Sequence, residues 1–162
     1  MKTKTIIEDL NHEDLVNLFS TALYGSTYLS VEYDKPVDSN DDDCYEDEIA
    51  KVLLNGGVVR ITDGYAEDGE IYGNLSCEVK ENEDGDLVST YFVTLEDILN
   101  GLGKAANGTF NLREDVGADY ADRNEAFAKR SFNAFAYDER EWDAITADCL
   151  IQIILFNEIV YG

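Results

Sequence analysis

The chain has 162 residues, in which 12 Lys and Arg oppose 35 Asp and Glu, for a formal charge of −23 at pH 7. Its length suits one domain, and 44% apolar with 11% aromatic residues suffice for a core, which excludes global disorder. With a single Pro and so few bases, the composition also excludes Pro-rich linkers and ordinary electrostatic binding to phosphate backbones or anionic membranes.

In chain order, Asn11 is a good N-cap for a first helix whose leading acids, Glu13 and Asp14, suit the positive end of the helix dipole. Leu15, Leu18, Phe19, Ala22 and Leu23 form its core-facing stripe, and Gly25 is expected to stop it. A short strand over 28–33 follows, ended by Pro36. Asp38 to Asp43 (DSNDDD) reads as a solvated loop whose last acids cap a second helix over 45–54, closed by Asn55-Gly56-Gly57. Residues 58–62 read as a strand. A polar loop through Gly73 leads to alternating segments at 75–81 and 87–94, joined by a turn at Asp84-Gly85.

Thr94 and Asp97 make a capping-box pair for a third helix that ends at Asn107-Gly108. Residues 109–121 look irregular. A fourth helix is expected over about 123–136 and a fifth over about 141–156, the last apolar on nearly every side and so central to the core. The predicted fold class is α+β, with about five helices packed on a small, mainly antiparallel sheet. Three segments (beginning at His12, Tyr45 and Trp142) share the order acidic helix start, apolar helix, Gly or Asn stop, apolar-aromatic strand. Shared helix-stop-strand grammar explains this echo without duplication.

No apolar run of signal-peptide or membrane-span length is present, and Cys44, Cys77 and Cys149 form no CxxC pair. A cytoplasmic protein with buried or incidental thiols is expected.

The charge is unevenly placed. Between Glu32 and Asp86 lie 18 acidic residues and four basic ones, a local net of −14. One cluster is Asp41-Asp42-Asp43 with Glu46-Asp47-Glu48; another is Glu67-Asp68-Glu70, continuing to Glu81-Glu83-Asp84-Asp86. Tyr33, Tyr45, Tyr65 and Tyr72 are interleaved, and a third patch surrounds Trp142. Charge runs usually serve solubility, but solubility asks for a net charge of only about 2–8 on a small domain. Bound cations, a basic protein partner or a high-salt environment would offset the self-repulsion.

Duplex DNA carries one charge per about 1.7 Å of axis, so 23 charges match about 39 Å of duplex. A compact domain of this length is about 40 Å across. Carboxylates at i and i+4 of a helix have a spacing comparable to phosphates along a strand, but they cannot imitate base edges. Such a mimic would occupy the Arg and Lys that bind backbone.

Catalytic and metal motifs fare worse. An EF-hand reading of Asp38–Ile49 lacks the required Gly and the final Glu. His12 is the only His, on the surface of a helix, and no GxSxG, Walker A or GxGxxG occurs. With 35 acids, some carboxylate pair always lies at a catalytic spacing, so such pairs carry no signal. No enzyme activity, cofactor or metal is expected.

The acidic helix-strand segments, with the ending ADCLIQIILFNEIVYG, resemble small acidic inhibitors from phages and conjugative elements, among them anti-CRISPR and anti-restriction proteins. The resemblance lies in general character, without a diagnostic motif. It implies an inhibitor that blocks a nucleic-acid-binding groove. The expected partner is therefore the basic surface of a CRISPR or restriction nuclease, with no direct nucleic-acid or membrane binding. The expected contacts are Asp41, Asp42, Asp43, Glu46, Asp47, Glu48, Glu67, Asp68 and Glu70, with Tyr45 and Tyr65 as anchors. The alternatives are an acidic adaptor or housekeeping binding domain whose charge serves solubility, and a weak divalent-cation binder.

Overall fold

The computed structural model describes residues 10–24 and 26–162. Among the described residues, five helices and a four-stranded antiparallel sheet form an α+β fold, as the sequence pattern predicts. Helix α1 (His12–Tyr24) starts where Asn11 caps it: the Asp14 amide donates to Asn11 Oδ1 at 2.8 Å, and Asp14 returns the bond to the Asn11 amide. Gly25, its expected stop, lies outside the described residues. Strand β1 (Leu29–Glu32) and helix α2 (Tyr45–Leu54) follow. The N-cap of α2 is Cys44 rather than one of the loop acids, because Asp47, three residues on, accepts from the Cys44 amide.

Strands β2 (Val59–Asp63), β3 (Cys77–Glu81) and β4 (Leu87–Val93) complete the sheet in the order β1-β2-β4-β3. The register pairs Val59 with Val93, Ile61 with Tyr91 and Asp63 with Ser89. These residues are buried and share the face towards the helices, where the Tyr91 ring meets Phe156 at 5.4 Å. Arg60, Thr62, Thr90 and Phe92 take the alternate phase on the opposite face, as the period of two requires.

Helix α3 (Leu95–Asn107) carries the expected Thr94–Asp97 capping box and ends on Gly108 in the left-handed region. Helix α4 (Ala118–Tyr137) begins five residues earlier than its sequence suggests. Its first turns are polar and its buried stripe is built from small or polar residues, Ala121, Asn124, Ala128 and Ser131, so the apolar periodicity is faint there. Helix α5 (Ala144–Phe156) begins later than expected. Asp143 accepts from the Thr146 amide at 2.9 Å and terminates the helix backwards, leaving Glu139–Glu141 as a separate single turn.

Ten of the 13 residues of α5 are buried, and it packs against α1, α3 and α4, which makes it the axis of the core. The third helix-stop-strand echo breaks down beyond this helix. Asn157 turns the chain through the left-handed region, and only Glu158 pairs with another segment, in a single parallel bridge to Asn111. The tail then folds back along α5.

Candidate functional site

The first acidic cluster divides into paired and free carboxylates. Asp43 receives Lys51 Nζ at 2.6 Å, and this bond holds its carboxyl below the usual range. Asp47 meets His12 Nε2 at 2.9 Å and is lowered in the same sense. Glu48 accepts from Tyr33 Oη at 3.0 Å and from the Ser39 hydroxyl; burial and then Glu48 push the Tyr33 hydroxyl up to about 12. These three acids therefore organise the loop before α2. Asp41 and Asp42 are exposed, with no ion pair among the described residues, and Tyr45 stands half-exposed beside Glu46. The loop with EF-hand-like spacing uses its oxygens in the same internal way, since Asp38 accepts from Asn55 and from Lys51. Among the described residues no group of three or more His, Cys, Asp or Glu is arranged to hold a metal ion.

The second cluster lies elsewhere. Gly69 has a φ of +72°, and a Cβ there would sit 2.4 Å from Val79 Cγ1, so only glycine brings this turn onto the β3–β4 hairpin. Glu67 and Asp68 are exposed beside it, and Glu70 accepts from Tyr72 Oη at 2.7 Å. The hairpin tip adds Glu81, Glu83, Asp84 and Asp86, on a turn held by Asn82, whose side chain accepts from the amides of Asp84 and Asp86.

The sequence assigns both clusters to one partner surface; the sheet holds them at separate places. Tyr33, next to the end of β1, reaches Glu48, and the row of Glu32 runs through Arg60 to Phe92. Gly69 packs against Leu87, five residues earlier on β4. At about 3.4 Å per residue, these two anchor rows lie about 17 Å apart along the strands, towards opposite ends of β4.

No protein-family model matches this chain, and no curated protein or solved structure matches it. Function must be argued from its own geometry.

Tyr65 belongs to neither cluster. Its ring stacks on Tyr28 at 4.9 Å and meets Tyr161 edge-on at 5.7 Å, and its hydroxyl bonds Thr27. The Tyr28 hydroxyl donates to Asp148 Oδ1 at 2.6 Å, and that of Tyr161 to Asp63 Oδ2 at 2.7 Å. Burial drives both tyrosines well above their ordinary range, and the neighbouring carboxylates add to the effect. Asp63 is fully buried, which raises its carboxyl against the opposing bonds from Tyr161 and the Tyr65 amide.

Gln152 clamps the tail onto this network. Its amide nitrogen donates to Asp148 and to the Tyr161 carbonyl, and its oxygen accepts from the amides of Val160 and Tyr161. These rings, α4 and α5 line a cleft of about 430 Å³. Sequence reasoning missed this site. Two signals point to it: Asp63 falls on the buried phase of β2, and Asp148 and Gln152 interrupt an otherwise apolar helix.

The third patch is built around packing. Trp142 lies 5.1 Å from the Phe135 ring, and its indole N–H donates to Thr21 Oγ1. Among the cysteines, Cys149 is 1% exposed and its thiol is pushed up to about 11 by burial, whereas Cys44 is exposed at the start of α2. A thiol-specific disulfide reagent is therefore expected to modify Cys44 in the native protein and Cys149 only on unfolding. Equal native rates, read by mass spectrometry of the labelled peptides, would contradict the burial of α5. No helix among the described residues is long and apolar enough to cross a membrane.

Proposed function

We propose that this chain is a non-enzymatic inhibitor that occupies the basic, nucleic-acid-binding surface of a CRISPR or restriction nuclease, with carboxylates standing in for backbone phosphates. The observation that carries this reading is the pair of free acidic lobes. Asp41 and Asp42 form one, beside a Glu46 engaged by Tyr45 and Cys44, and Glu67 and Asp68 with the hairpin tip form the other. Duplex DNA carries one charge per about 1.7 Å of axis, so two separate acidic lobes suit a groove that follows a backbone. Asp43, Asp47 and Glu48 also hold the first lobe in shape, through Lys51, His12 and Tyr33, so Asp41 and Asp42 carry its unpaired charge. The raised tyrosines and the buried Cys149 thiol favour binding over proton transfer or nucleophilic chemistry.

The test is inhibition of candidate nucleases by wild type and by charge-reversed variants of each lobe, Asp41→Lys with Asp42→Lys, and Asp68→Lys with Asp84→Lys. Either pair is expected to slow association at least tenfold, and rising salt to slow the wild type first, through loss of steering. Inhibition that survives reversal of both lobes would remove the mimicry mechanism.

A further inference from the structure

We propose that the tyrosine-lined cleft between α4, α5 and the tail is a binding site for a small organic ammonium ion carrying apolar substituents. The site is distinct from the acidic lobes. Its volume of about 430 Å³ lies in the range of small-molecule sites. Its walls are the aromatic rings of Tyr28, Tyr65, Tyr161 and Phe127, and Ile145, 68% exposed, stands at its rim.

Among the described residues, Asp148 is the one charged side chain in the wall. Tyr28 and Gln152 each donate to one of its oxygens, which fixes the carboxylate's orientation, and no described Lys, Arg or His lies within ion-pair distance of it. Each oxygen keeps acceptor capacity for a ligand.

Charge and shape then select the ligand. An anion would meet Asp148 and a net charge of −23. A neutral apolar ligand would displace water from the carboxylate and leave it without a compensating partner. A calcium or magnesium ion needs about six oxygen ligands, where this wall offers one carboxylate among rings. An ammonium with alkyl or aryl substituents satisfies all three constraints: it neutralises Asp148, lies against the negative faces of the rings and buries its carbon groups. Phe127 is already engaged from outside the cleft, where the Arg130 guanidinium lies 5.3 Å from its ring centroid, so the three tyrosines are the rings left for a ligand. The net charge of the chain raises the local concentration of any cation, so the test must separate site binding from that atmosphere.

Choline and its neutral isostere 3,3-dimethylbutan-1-ol serve as probes, titrated at matched ionic strength and followed by the amide resonances of Ile145, Cys149 and Gln152. Choline is expected to bind at least tenfold more tightly than the isostere, the ratio that one full cation–aromatic and carboxylate contact supplies. Asp148→Asn is expected to abolish that ratio, and Tyr65→Leu to reduce it severalfold. Asp84→Asn removes the same unit of charge at the distant hairpin and should leave choline binding unchanged. Equal affinity for the two probes in the wild type, or equal weakening by Asp84→Asn and Asp148→Asn, would overturn the proposal. The wild-type comparison decides even if a cleft variant fails to fold. Reversal of the acidic lobes leaves the choline ratio intact, so this proposal and the inhibitor reading fail independently.

Discussion

Phe156→Ala is expected to lower the unfolding free energy by about 3–5 kcal/mol, the range for deleting a fully buried Phe. Phe156 is 1% exposed at the end of α5, and three tyrosine rings lean on it edge-first: Tyr72 at 5.6 Å, Tyr91 at 5.4 Å and Tyr161 at 5.8 Å. The truncation therefore opens a cavity and also removes edge-to-face contacts worth about 0.5–1.5 kcal/mol each beyond area burial. Phe156→Leu separates the two effects, because it retains much of the volume and loses only the ring contacts. Urea unfolding followed by the single Trp, at 142, measures both. If Phe156→Leu and Phe156→Ala proved equally damaging, the ring contacts and not the cavity would carry the cost. If neither lost more than about 1 kcal/mol, Phe156 would not be the hub on which the tyrosines rest.

Gln152→Ala is expected to cost about 3 kcal/mol, and through a different mechanism. The side chain is 1% exposed and makes four hydrogen bonds, one of them to the Asp148 carboxylate. Net values of about 0.5–1.5 kcal/mol for a neutral bond and 1.5–3 for a charged one bracket that total, once their non-additivity is allowed for. Its loss frees the amides of Val160 and Tyr161, so their hydrogen exchange should accelerate more than that of the α5 core. As the tail loosens, Asp63 loses the Tyr161 hydroxyl and its carboxyl should rise further, since burial already raises it and that bond opposes the rise.

Gln152→Glu adds a pH signature. A carboxylate introduced beside the half-buried Asp148 is repelled at neutral pH, and taking up a proton relieves the repulsion. The introduced Glu is therefore raised in the folded state, so the folded variant binds its proton more tightly than the unfolded chain. Its deficit against wild type is largest at neutral pH and shrinks as pH falls through the raised value. A deficit independent of pH would place residue 152 away from Asp148.

Much of the fold was legible because its signals are local. The Asn11 and Thr94 caps act over three residues, the Asp84-Gly85 turn over four, and the apolar stripe of α1 over successive helical turns. The start of α4 was not legible, because its buried stripe of Ala121, Asn124, Ala128 and Ser131 resembles a solvated helix face in sequence. The cap of α2 was misread because Asp47 closes the box from inside the helix, and Cys44 serves where an acid was expected.

The α+β class, most element boundaries and the amount of acidic charge in each segment follow from residue type and short-range order. Which acids are free depends instead on contacts between distant segments. His12 reaches Asp47 across 35 positions, Tyr161 reaches Asp63 across 98 and Tyr28 reaches Asp148 across 120. Spacing along the chain carries no information about such pairs, because the strand order β1-β2-β4-β3 and the fold-back of the tail set their proximity. The same topology sets the two acidic clusters read from the sequence towards different ends of the sheet. It also gathers Tyr28, Tyr65 and Tyr161 beside the carboxylates of Asp63 and Asp148.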